Sequence, residues 1–266
     1  MKNSFLNKYT LLFSLLIIFQ SCKKGVEAVP EFVRPVRVEF KGLVLNDSLE
    51  LISAGKVIGK AFETEFRMSS VYYNPNELIT VRRIADKKVF AEFQVTKAPF
   101  KQVKILYYDG VTLADNLALT PVTNPANVGV RLRFSSSFKD VFKGPVDVEI
   151  FDTVIDWDTW QYTYISVKTV TGVNAVFGDF FELPPLQDET HSYMYRVYKS
   201  GTKEPPFTDL KDVIFEGPSM EYGELIGSYS FTGGDSRLLS LSPQLSMTDR
   251  EIVTGYTAID FSAPFK

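Results

Sequence analysis

The strongest constraint on this chain is a two-residue hydrophobic period that recurs along it. Val36, Val38 and Phe40 alternate with Arg37, Glu39 and Lys41, which puts apolar side chains on one face of an extended segment and charges on the other. Phe62, Thr64, Phe66 and Met68 alternate with Glu63, Glu65 and Arg67 in the same way. Val89, Ala91, Phe93 and Val95 form a third run, and Val103, Ile105 and Tyr107 a fourth that ends at the turn signal Asp109-Gly110. An α-helix turns once in 3.6 residues, so this spacing would scatter the apolar positions around its whole circumference. No amphipathic helical stretch of ten or more residues separates the runs, and the expected fold is all-β, with short strands stacked as a β-sandwich. The 22 Phe and 13 Tyr fit that expectation, because aromatic side chains suit the pleated, half-buried surface of a strand.

The segment Thr120-Pro121-Val122-Thr123-Asn124-Pro125 interrupts the pattern and marks a boundary. Beyond it Val130, Leu132 and Phe134 alternate with Arg131 and Arg133, and Val146, Val148 and Ile150 with Asp147 and Glu149. Two sandwich domains are therefore expected, over 36–120 and 121–266. The second echoes the first: Val36–Phe40 answers Val130–Phe134, Leu49-Glu50-Leu51 answers Val148-Glu149-Ile150, and Phe66-Arg67-Met68 answers Phe181-Glu182-Leu183. The offsets grow from 94 to 99 to 115, so a duplication would have diverged by insertion.

The N-terminus has a different logic. Lys2 and Lys8 precede an apolar run from Tyr9 to Phe19, and Gln20, Ser21 and Cys22 follow. The run is about half the roughly 20 apolar residues that a spanning helix needs, which suits a cleaved signal better than a permanent span. A small residue directly before the cysteine resembles the lipobox of bacterial lipoproteins. That resemblance implies a signal peptide over 1–21, lipidation of Cys22 as the mature N-terminus, and a location in the cell envelope, at the outer membrane. Cys22 is the only cysteine, so no disulfide forms within the chain and the folded part relies on its core. Residues 22–35, with Pro30 and Pro35, read as a tether. Together with the all-β pattern, the lipobox resembles the tandem immunoglobulin-like lipoproteins of Gram-negative outer membranes. This implies immunoglobulin-like sandwiches in both domains and a role in binding or surface assembly rather than catalysis.

Charge and motif content narrow the chemistry. Loss of Lys2 and Lys8 with the leader takes the net charge from −3 to −5, and no basic cluster offers the concentrated positive face that nucleic acid requires. His191 is the only histidine, which excludes multi-histidine metal sites. It lies in the polar stretch Gln187–Ser192 and reads as a surface-loop residue; no Gly-x-Ser-x-Gly elbow accompanies it. Gly233-Gly234-Asp235 is too short to cradle a phosphate, and Asp152, Asp156 and Asp158 lack calcium-loop spacing. No cofactor and no metal are expected. The carboxylates leave a glycoside hydrolase pair open as an alternative, although no two of them are singled out.

One patch stands apart. In Asp156–Tyr164 both tryptophans fall within four residues, and a strand over 160–167 would place Trp160, Tyr162 and Tyr164 on one face and Ile165 and Val167 on the other. With the aliphatic pair taken as core, the aromatic row faces outward beside Trp157; the alternative is that the row is itself core and the other domain covers the aliphatic side. Trp157, Trp160, Tyr162 and Tyr164 are thus the candidate ligand-binding residues, suited to stacking on sugar rings or on the apolar surface of a protein partner. The expected function is a lipid-anchored, exported, non-catalytic binding protein for a glycan or another extracellular ligand. The alternative is a structural or assembly lipoprotein that offers an edge strand or apolar patch to a protein partner.

Overall fold

A computed structural model of the protein describes residues 34–114, 117–134, 144–206, 221–245 and 253–266. The expected signal peptide, Cys22 and all but residues 34 and 35 of the expected tether lie outside the described residues. The first half contains β1 (Val36–Val44), β2 (Leu49–Ser53), β3 (Lys56–Ala61), β4 (Thr64–Tyr73), β5 (Leu78–Arg83), β6 (Val89–Gln94), β7 (Lys101–Tyr108) and β8 (Leu113–Ala114). The second contains β9 (Val128–Phe134), β10 (Val146–Asp156), β11 (Gln161–Val173), β12 (Phe181–Leu183), β13 (His191–Lys199), β14 (Gly223–Ile226), β15 (Ser236–Leu245) and β16 (Val253–Asp260).

Each half is a sandwich of two four-stranded sheets. Their orders are β4-β1-β7-β8 with β3-β2-β5-β6, and β12-β9-β15-β16 with β11-β10-β13-β14. Adding eight to every strand number of the first pair reproduces the second. The pairing senses repeat as well. Phe40 of β1 pairs antiparallel with Met68 and parallel with Lys104, and Val130 of β9 pairs antiparallel with Phe181 and parallel with Arg237. Each of the three sequence echoes falls on strands that hold the same place in the two sandwiches.

The alternation fills the cores. Val36, Val38, Phe40, Leu49, Leu51 and Val81 are buried between the first two sheets, and Val130, Leu132, Phe134, Val146, Val148 and Ile150 between the second two. Each such side chain removed from water contributes roughly 1.5–3 kcal/mol before entropy is charged against it. At the bulge between Val38 and Phe40, Glu39 is buried and held at 2.8 Å by Arg67. At Gly42, with φ +155°, a Cβ would lie 1.9 Å from the Leu106 carbonyl oxygen, so the close approach of β1 and β7 requires glycine.

A third apolar cluster joins the sandwiches. Leu43 and Leu45 meet Phe177 and Leu238, with Tyr107, Phe261 and Phe265 packed around them. The Asn46 amide donates to the carbonyl oxygens of Asp109 at 3.3 Å and Ala175 at 3.2 Å, spanning both halves. Residues 36–266 form one compact unit.

This seam explains one departure from the expected pattern. In β7 the side chains turned into the sandwich core are Leu106 and Tyr108, not Val103, Ile105 and Tyr107; Val103 is exposed. Tyr107 faces the seam and meets the Phe265 ring edge-on at 6.3 Å. A strand apolar on both faces does not declare its parity. Phe62, similarly, precedes β4 and is exposed.

Candidate functional site

The Asp-Trp-Asp-Thr-Trp segment folds as a turn rather than as the start of a strand. Asp156 at the end of β10 accepts backbone hydrogen bonds from Asp158 at 2.9 Å and Thr159 at 3.2 Å. The Thr159 hydroxyl and these two amides hold its carboxyl below the usual range, which is the chemistry of an Asx-turn. Trp160 donates from its backbone to the Asp156 carbonyl at 2.7 Å and adopts φ +56°, a left-handed conformation uncommon outside turns. Trp160 therefore stands in the turn and does not share the strand face of Tyr162 and Tyr164. It packs edge-on against Trp157, ring centroids 5.5 Å apart, and the two are 67% and 53% exposed.

The rest of the row is outward, and the sheet brings it an unexpected member. Tyr162 and Tyr164 stack at 6.3 Å, and Tyr164 stacks on Tyr222 at 4.0 Å. Phe151 meets both Tyr164 and Tyr222 edge-on. Arg196 lies over the Tyr222 and Tyr198 rings at 5.6 and 5.4 Å. The expected core partners of this row are not core: Ile165 is 52% and Val167 43% exposed. The strand that would cover them, β12, has three residues, whereas its counterpart β4 has ten.

Beside the row a cleft of about 320 Å³ crosses the outer face of the β11-β10-β13-β14 sheet. Thr153 and Ile155 of β10 with Ser192 and Met194 of β13 line its middle; Trp157 and Tyr162 stand on the β11 side. On the β14 side are Glu224 and the short turn Gly227–Ser230, from which Tyr229 projects with 93% exposure. The cleft thus takes in Trp157 and Tyr162 but leaves out Trp160 and Tyr164.

His191 is the first residue of β13, and it is buried rather than a surface-loop residue. Its Nδ1 lies 2.8 Å from Asp152 Oδ1, a partner 39 positions away that local composition could not reveal. The turn before it is set by Asp188, which accepts from the Thr190 amide at 2.8 Å and hydroxyl at 2.6 Å; those bonds lower the Asp188 pKa. Asp152, Asp156 and Asp158 do not converge, and among the described residues no group of three or more metal-ligating side chains occurs. Thr153, 1% exposed, has a hydroxyl with no hydrogen-bond partner among the described residues, which is costly for a buried polar group.

Sequence reasoning missed Thr153, Glu189, Glu224 and Tyr229. The pairing of β13 with β14 that brings Glu224 and Tyr229 to the cleft is a long-range event.

No family model matches the chain, and no curated protein does. Among solved structures, a candidate cell adhesion protein from Bacteroides uniformis is similar over 85% of this chain and 98% of its own, with 9% identity and a TM-score of 0.23. No helix among the described residues is long and apolar enough to cross a membrane.

Proposed function

We propose that the protein is an exported lipoprotein, anchored at the outer membrane through Cys22, that binds an extracellular glycan without chemical turnover. The observation that carries the ligand reading is the cleft. Trp157, Tyr162 and Tyr229 stand around a mixed floor of Thr153, Ile155, Ser192 and Met194, in which the Thr153 hydroxyl has no partner among the described residues. Exposed aromatic rings stack on the apolar faces of sugar rings, while hydroxyls and carboxylates read their polar rims. The test is calorimetric titration of the lipidated protein in detergent with a panel of oligosaccharides, beside Trp157→Ala and Tyr229→Ala. Both rings are exposed, so the variants retain the fold and lose saturable binding. Undiminished binding in both variants, or no heat from any glycan, refutes this site.

The anchor rests on the lipobox-like segment ending at Cys22. Cells fed labelled palmitate incorporate it into the protein, and Cys22→Ala abolishes the label and releases the chain from the membrane fraction. Label retained in the variant excludes this anchor.

A second reading has its own observation. β11 runs for 13 residues at the sheet border, and among the described residues its outer edge pairs with no strand. Exposed Ile165 and Val167 add an apolar surface there. A structural lipoprotein would use that edge to receive a strand from a protein partner. Ile165→Lys/Val167→Lys then blocks assembly and leaves glycan titration unchanged.

A further inference from the structure

The proposal developed here rests on the glycan reading of the cleft and names the charge of its ligand: we propose that the cleft selects a glycan bearing a free, protonated amine, a de-N-acetylated amino sugar. Among the described residues two carboxylates, Glu189 and Glu224, line the cleft, and no lysine or arginine does. Among the described residues neither carboxylate makes a hydrogen bond or an ion pair. The other ionisable group on the wall, His191, is already paired with Asp152. Of the cations near the cleft, Arg196, two residues beyond Met194 on β13, is paired with Glu221, and Arg237 donates to the Ser230 carbonyl. The Arg237 guanidinium lies 3.5 Å from Asp235 and 4.0 Å from Asp260, so its charge is matched outside the cleft. The described residues of the cleft therefore present net negative charge to whatever enters.

Local backbone chemistry gives Glu224 its place. A Cβ on Gly227 would sit 2.9 Å from Glu224 Oε1, so the absence of a side chain at Gly227 leaves room for this carboxylate beside the turn. Across the cleft the Trp157 and Tyr162 rings offer negatively polarised faces, which favour a cation over a neutral or anionic group. Thr153 supplies the independent indication of a polar ligand. Its hydroxyl is buried at the cleft and unpaired among the described residues, and a sugar hydroxyl satisfies it as donor or acceptor. Aromatic faces, two unpaired carboxylates and a waiting hydroxyl together match a ring with apolar faces, a protonated amine and further hydroxyls. Uronic or sulfated sugars meet repulsion there, and N-acetylation removes the charge the carboxylates would recognise.

The test is titration of the lipidated protein in detergent with four probes: glucosamine hexamer, N-acetylglucosamine hexamer, cellohexaose and cadaverine. The expected result is saturable binding of the glucosamine hexamer about tenfold tighter than its acetylated form, the worth of one charge-assisted hydrogen bond. Binding weakens with added salt. Glu189→Gln and Glu224→Gln, both at solvent-accessible side chains, erase the preference for the glucosamine hexamer over its acetylated form. Equal affinity for the two glucosamine-series hexamers, or a preference that survives Glu189→Gln/Glu224→Gln, overturns the charge assignment and leaves the glycan site standing. Cadaverine binding as tight as the glucosamine hexamer overturns the sugar component of this inference. No binding of any hexamer overturns the site itself.

Discussion

The guanidinium of Arg133, in β9 of the second sandwich, lies 3.8 Å from the Glu63 carboxylate, which the β3–β4 connection of the first sandwich supplies. The Arg133 side chain is 4% exposed. Its Nε donates to the Ser240 hydroxyl at 2.9 Å and its Nη1 to the Ala175 carbonyl at 3.3 Å. The rings of Phe177 and Phe261 flank the guanidinium at 6.0 and 5.9 Å. Burial lowers its pKa from the usual arginine value. A charge is expensive to bury, and this one is retained at the place where the halves of the molecule meet.

Substitution at Arg133 separates packing from charge. Arg133→Ala empties the space between two phenylalanine rings and leaves Ser240 without its donor, at a cost of about 2–4 kcal/mol. Arg133→Met fills much of that space and removes a desolvated charge, so its cost is below about 1 kcal/mol. Denaturant midpoints of the two variants check the ordering. Equal losses would mean that the polar bonds, not the stem, hold the seam.

Tyr195 makes the opposite case. It is fully buried in the second core, its hydroxyl lacks a hydrogen-bond partner among the described residues, and burial pushes its pKa far above the usual tyrosine value. Tyr195→Phe keeps the ring contact with Tyr256, whose centroid is 6.0 Å away, and removes an unsatisfied polar atom. The variant is expected to be as stable as the parent or more stable, by up to about 1 kcal/mol. Gly223→Ala, in contrast, sets a Cβ 2.5 Å from this ring and costs about 1–3 kcal/mol by overpacking. Thermal melts of both variants decide the matter, and a Tyr195→Phe protein with a lowered Tm would mean that the hydroxyl is satisfied after all.

How much of this could be read from the sequence depends on whether one neighbour or two shape a segment. Val130, Leu132 and Phe134 have one core to face, and their alternation placed them correctly. Tyr107 and Leu106 serve two different apolar clusters on opposite faces of β7, so alternation alone picked the wrong face for the sandwich core. Trp157 and Tyr162 were legible as an aromatic concentration. Trp160 was misplaced because an Asx-turn with a left-handed residue replaced the expected strand start. Ile165 and Val167 looked like core because nothing in their own sequence says that β12 stops after three residues. The cleft depends on pairings among β10, β13 and β14, and local patterning carries no record of those.

The segment between the sandwiches is held to β12 by a carboxylate, which makes it sensitive to acid. Glu182 in β12 accepts from the Thr123 amide at 2.6 Å, the Thr123 hydroxyl at 2.8 Å and the Asn127 amide side chain at 2.8 Å. These donors, the Thr123 amide foremost, lower its pKa to about 2 from an ordinary value of 4.5. A carboxyl whose folded pKa is depressed stabilises the fold fully above its unfolded value, and that contribution is lost as pH falls through the folded one. The tie between 123–127 and β12 is therefore complete above pH 4.5 and is lost progressively as the pH falls towards 2. Amide exchange at Thr123, corrected for the intrinsic pH dependence, should accelerate over this window. In Glu182→Gln the exchange should be faster at neutral pH and should lose the acid-dependent step. If the step persists in the variant, another group holds the segment and Glu182 is not its clasp.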